Sequence, residues 1–222
     1  MTYSAPMRSD WVPLSASALV IGAMSLVFGS LLNPADAGAS SAETLRVVNE
    51  DSARWVAMSV MFVLASLGLT LGLPSVLTLF ERRGRKLGLT ALAVFTVGTI
   101  GTSGYAMLMV FFRAMVVSGA IRGGALDEVT HEPGLAVFLN GWIVGFYGGI
   151  ALLALALYVA RSVPRWVPAL LVLFVAMLPF STHLGRVGQA VQVMALAVAL
   201  TGVAMAAVTG EQQRELSGQP AF

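Results

Sequence analysis

The chain has 222 residues, 57% of them hydrophobic and 11% charged, with a formal net charge of +2 and a mean hydropathy of +0.84. A water-soluble domain carries about 25% charged and about 45–50% apolar residues, so a soluble globular fold is excluded. The absence of cysteine excludes disulfides, thiol catalysis and thiolate metal sites.

Charges cut the sequence into uncharged runs at 11–35, 55–80, 87–112, 133–160, 166–185 and 187–210. Each exceeds the roughly 18 apolar residues that cross a bilayer. Backbone amides in hydrocarbon must bond within their own segment, so these runs are helices. The expected fold is all-α: a polytopic membrane protein, one membrane domain built as a bundle of six transmembrane helices over about 14–33, 55–80, 88–113, 134–160, 166–182 and 187–208.

Helix one is followed by Ala35-Asp36-Ala37, which resembles a signal-peptidase site. Its apolar stretch is longer than the usual 7–15 residues and its start carries Arg8 offset by Asp10, so it reads as a retained helix. Residues 34–54 form an outer loop in which Ser40 and Glu43 have capping-box spacing. That spacing starts helix two near residue 41, about three turns above the membrane. Its Glu43, Arg46, Glu50, Asp51 and Arg54 then make a charged stalk or a ligand surface.

The turn Glu81-Arg82-Arg83-Gly84-Arg85-Lys86 is the densest basic cluster. It reads as a topology signal and not as a nucleic-acid patch. With both termini inside, the inner segments hold eight Arg and Lys against five outside. The expected topology is therefore N-in, C-in, in a bacterial-type plasma membrane. The turns at 81–87 and 161–165 make antiparallel hairpins of spans two/three and four/five. Leu77–Arg83 faintly echoes Leu155–Arg161, either as a duplication or because inner boundaries select aromatics and arginines independently.

Helix three carries Gly98, Gly101 and Gly104 and ends at Arg113, which either snorkels or holds an anion. The second outer loop carries Asp127, Glu128, His131 and Glu132, and Pro133 suits the first turn of helix four. In helix four Gly141, Gly145 and Gly149 recur every four residues beside Phe138, Trp142 and Phe146. Small residues at this spacing let a neighbouring helix approach closely, or open a slot for a flat apolar ligand. Asn140 lies in the same span with Tyr147 seven residues on, nearly on one face. Its amide makes either an interhelical hydrogen bond or part of a site.

His183, Arg186, Gln189 and Gln192 recur every third residue at the start of helix six. Facing inward they line a polar cavity; otherwise they are interfacial. The tail 211–222 reads as flexible. Arg113, Asn140, Tyr147, Arg186, Gln189 and Gln192 are thus the candidate ligand-binding residues, and all but Tyr147 belong with His131 and His183 to an outer polar pocket above an apolar, glycine-notched core.

No Asp or Glu lies within any span, which disfavours proton relays and carboxylate-dependent carriers. Metalloprotease, Walker A, nucleophile-elbow, dinucleotide-binding, channel-filter and voltage-sensor patterns are absent. Neither a metal nor a cofactor is expected. The leading expectation is a transport-accessory or envelope-complex subunit binding an apolar or amphiphilic ligand, or a partner membrane protein, through its outer half. Expected partners are membrane lipid, a hydrophobic small molecule, and a membrane protein or second copy. The alternative is an intramembrane enzyme on a lipid or isoprenoid-like substrate. There His183 acts as general acid/base and Arg113 and Arg186 hold an anionic head group.

Overall fold

The structure, a computed structural model, describes residues 11–35, 39–80, 83–121, 129, 132–180 and 185–217, with backbone alone for 186, 214, 215 and 217. Among these residues all regular structure is helical. The helices are α1 (Trp11–Leu32), α2 (Ser41–Glu50), α3 (Ser52–Phe80), α4 (Arg85–Val117), α5 (Pro133–Ala160), α6 (Trp166–Phe180) and α7 (Gly185–Ser217).

Five of them, α1, α3, α4, α5 and α7, are long and apolar enough to cross a membrane. The sixth, α6, covers about 22 Å at ~1.5 Å per residue and ends in a 3-10 turn, Leu178–Phe180. The six apolar helices close a ring in chain order: α1 on α3, α3 on α4, α4 on α5, α5 on α6, α6 on α7, and α7 back on α1. We call the end holding the 83–86 turn the basic end, and the other the distal end.

Lipid tails are as apolar as leucine, so burial from water does not pull these helices together; close van der Waals packing and interhelical hydrogen bonds do. The tightest pair is α1 and α3. A Cβ added to Gly68 would lie 2.7 Å from Gly22 Cα, and one on Gly72 would lie 2.5 Å from Leu19 Cβ. The sequence Gly68-Leu-Thr-Leu-Gly72 advertises this notch.

The same pair solves a backbone problem. Pro74 lacks an N–H and interrupts the ladder of α3. Beside the break, the Ser15 hydroxyl of α1 accepts from Ser75 N (3.1 Å) and donates to Leu71 O (2.8 Å), the two groups that a regular α-helix pairs with each other. A neighbouring helix thus re-satisfies backbone that hydrocarbon cannot solvate.

One apolar core runs through the ring, with Leu19, Leu69, Phe95, Ile150, Leu153, Leu171, Leu196 and Leu200 all less than 2% exposed. At the basic end α3 tightens into a 3-10 turn, Thr78–Phe80, that touches α5 and α7. Phe80 swings inward to 1% exposure against the notch of Gly88. Gly84 then adopts φ +74°, a left-handed conformation suited to glycine, and starts α4.

The boundaries depart from expectation in three places. The segment before span two is not a straight extension of it. It is a separate helix, α2, because the backbone bends at Asp51 (φ −106°, ψ 38°). That bend folds Val48, fully buried, into a small distal core with Trp55 and Met58. Ser40 does cap α2, its Oγ accepting from Glu43 N at 3.3 Å. The charged face folds on itself, Arg46 pairing with Glu43 and Glu50 at 2.6 Å; bonding to Glu43 first and Glu50 second raises the guanidinium's pKa. Second, α5 contains a π-helical turn, Val144–Gly148. Third, α7 continues as helix through Ser217, beyond the end expected near residue 208; 218–222 lie outside the described residues.

Candidate functional site

The distal half is where the sequence concentrates polar side chains, and each residue expected there has a distinct position. Arg113 on α4 donates from Nε to Ser52 Oγ at the start of α3. It is half-buried beside the distal core, where Trp55 Nε1 donates to Met109 O at 2.9 Å and Trp55 packs on Phe112 with ring centroids 6.0 Å apart. Arg54 donates to Leu31 O at 3.0 Å, capping the end of α1. Both guanidiniums therefore tie helix ends together.

Gln189 lines a cavity of about 60 Å³ with Ser30, Asn33, Ala35 and Arg54. That space suits water, and falls well short of the roughly 300–1,000 Å³ of a pocket for a drug-sized molecule. Gln192 is 4% exposed and its Nε2 donates to Phe174 O at 2.9 Å, linking α7 to α6. His183 and the side chain of Arg186 lie outside the described residues, as do Asp127, Glu128 and His131.

Asn140 stands apart from these. It is exposed, and its Nδ2 donates to Ala136 O of its own helix at 2.8 Å. It does not share a face with Tyr147, which is half-buried and stacks on Phe174 at 5.2 Å with ring planes 5° apart. One reason is the π turn, Val144–Gly148, within which Tyr147 lies. Seven residues of α-helix return to nearly the same face, but a π turn adds one residue per turn and rotates the remainder of the helix by about 100°. Along the aromatic stripe burial rises toward the bundle: Phe138 is 81% exposed, Trp142 half-buried and Phe146 6% exposed.

The glycines divide at the same point. A Cβ on Gly145 would meet Gly98 N at 2.9 Å, and one on Gly149 would meet Phe95 Cα at 2.5 Å, so both seat α5 on α4. Gly101 makes room for Trp142. Gly141 and Gly104 face open space, with nothing within 4 Å of an added Cβ.

Two aromatic groups that single-helix reading cannot find result from this packing. On the α3–α4 side, Trp142 stacks on Tyr105 at 4.4 Å, donates from Nε1 to Thr102 Oγ1 at 3.1 Å, and Tyr105 packs on Phe62 at 6.1 Å. On the α6 side, Phe146, Tyr147 and Phe174 form a second cluster, with Phe146 also 5.5 Å from Phe95. The distal segment of α5, Pro133–Ile143, which contributes Trp142 to the first cluster, has no buried residue, and among the described residues its sustained packing is on α4, not on α6 or α7. Its start is fixed by Glu132, whose carboxylate accepts from Leu135 N at 2.6 Å. Bonding to the Leu135 and Gly134 amides holds that carboxyl's pKa below its ordinary value. Among the described residues no three His, Cys, Asp or Glu side chains gather as a metal site.

No protein-family model, curated protein or solved structure matches this chain. The apolar helices define an integral membrane protein, and its function is read from the site itself.

Proposed function

We propose that this protein is a non-enzymatic membrane component that takes an apolar or amphiphilic, bilayer-borne molecule into its distal half, between α5 and the α6–α7 pair. The observation that carries the reading is the change of state along α5. From Gly145 onward the helix is seated in the bundle, whereas among the described residues Pro133–Ile143 has no buried residue and packs in a sustained way on α4 and not on α6 or α7. The wedge so left is floored by the Tyr147–Phe174 stack and braced by the Gln192 bond to Phe174. An apolar floor with one amide at its edge suits an amphiphile. In this reading the protein serves as a transport-accessory or envelope-complex subunit in a bacterial-type plasma membrane, with both termini cytoplasmic.

The test is saturable labelling. In nanodiscs, a photoactivatable fatty-acid probe should label Tyr147 and Phe174, and excess unlabelled amphiphile should remove that labelling. Labelling at Ile100, a 61%-exposed residue on the lipid-facing side of α4, should resist competition. Equal resistance at both places would remove the proposed site.

A further inference from the structure

We propose that a groove at the basic end, separate from the distal wedge, is a binding site for one anionic phospholipid. It has a volume of about 560 Å³ and is lined by Trp11 of α1, Pro74, Leu77 and Thr78 of α3, and Arg85 and Leu89 of α4. That volume lies within the roughly 300–1,000 Å³ range of sites that hold a drug-sized ligand.

The fold makes this groove for identifiable reasons. Helices α1 and α4 both pack on α3 without sustained contact with each other, so α3 is the floor of a channel between them. Toward the basic end that floor drops. Pro74 breaks the ladder, the chain tightens over Thr78–Phe80, and Phe80 turns inward against Gly88, so that it lines the bottom of the groove without filling it.

The lining is graded in the sense that a phospholipid requires. Leu77 and Leu89, 41% and 47% exposed, form apolar walls that continue into the lipid-facing Leu71, 64% exposed. At the other end Arg85 is exposed and forms no ion pair among the described residues. Arg83 and Lys86 flank it on the same turn. Trp11, 47% exposed at the first residue of α1, supplies an indole ring, and such rings favour the headgroup region. A guanidinium matches phosphate geometry, and basic pockets between spans at a membrane face select anionic head groups. Charge complementarity with an apolar continuation therefore points to an anionic lipid and not to a zwitterionic one or a free anion.

The experiment is native mass spectrometry of the full-length protein from micelles containing equal phosphatidylglycerol and phosphatidylcholine. Phosphatidylglycerol should be retained preferentially, with one lipid bound per chain. Arg85→Gln should reduce that preference about fivefold, the effect of one basic residue at a membrane surface. Leu89→Trp should abolish retention by filling the groove. Both side chains are exposed, so neither change reaches the core. The double variant Arg83→Gln/Lys86→Gln removes more charge but not the lining residue, and should cost less than Arg85→Gln alone. Equal retention of the two lipids, indifference to both single variants, a larger loss in the double variant, or displacement by excess inorganic phosphate would each overturn the proposal.

Discussion

Ser15 shows how one hydroxyl can govern a helix it does not belong to. Its Oγ stands between Leu71 O and Ser75 N, so α3 crosses its proline break through a bond supplied by α1. Interhelical hydrogen bonds in membranes are worth about 0.6 kcal/mol on average and about 1.7 at most. Ser15→Ala should therefore destabilise the protein by about 1 kcal/mol, read as a shift in the denaturation midpoint in micelles. Ser17→Ala is the control, because the Ser17 hydroxyl bonds only to Pro13 O of its own helix, and it should shift the midpoint little. No loss in Ser15→Ala would mean that α3 holds Ser75 N and Leu71 O without the bond from α1. Neither role is legible in the sequence, where Ser15 is one small residue among several in an apolar run.

At the scale of elements, the positions of the helices were legible because the bilayer imposes them: a run of about 20 uncharged residues has few alternatives. What lay between and within the runs was not legible. The bend at Asp51 makes α2 a separate helix, and it depends on Val48 finding a pocket against α3 and α4. The π turn at Val144–Gly148 depends on α5 fitting Gly98 and Phe95 of α4. A four-residue recurrence groups Gly141 with Gly145 and Gly149, yet the π turn leaves the first in open space while the other two meet α4. It likewise turns Asn140 outward, away from Tyr147. The glycines consequently make different predictions. Gly98→Ala drives a methyl group into the backbone of Phe146 and should cost about 1–3 kcal/mol, as overpacking does. Gly141→Ala adds its methyl to open space and should be neutral or gain up to about 1 kcal/mol in helix propensity. Denaturation midpoints of the two variants measure the contrast; equal effects would contradict the seating of α5 on α4.

At the scale of the whole molecule, the two ends differ in kind. The basic end gathers Arg83, Arg85, Lys86, Arg161 and Arg165 on short turns, where arginine and lysine set orientation most strongly. The distal end carries α2, its self-paired Arg46, and the arginines that brace helix ends. Those braces matter for sidedness: Arg54 and Arg113 are held by the fold itself, so they weigh less against the basic turns than a bare count suggests. The basic end should accordingly face the cytoplasm. Because the native sequence lacks cysteine, single cysteines can report this without background. Ser118→Cys, exposed beyond the end of α4, should react with an impermeant maleimide on intact cells. Lys86→Cys, exposed in the first turn of α4, should react only after the membrane is permeabilised. The opposite pattern would invert the protein, place the phospholipid groove in the outer leaflet, and open the aromatic wedge toward the inner one.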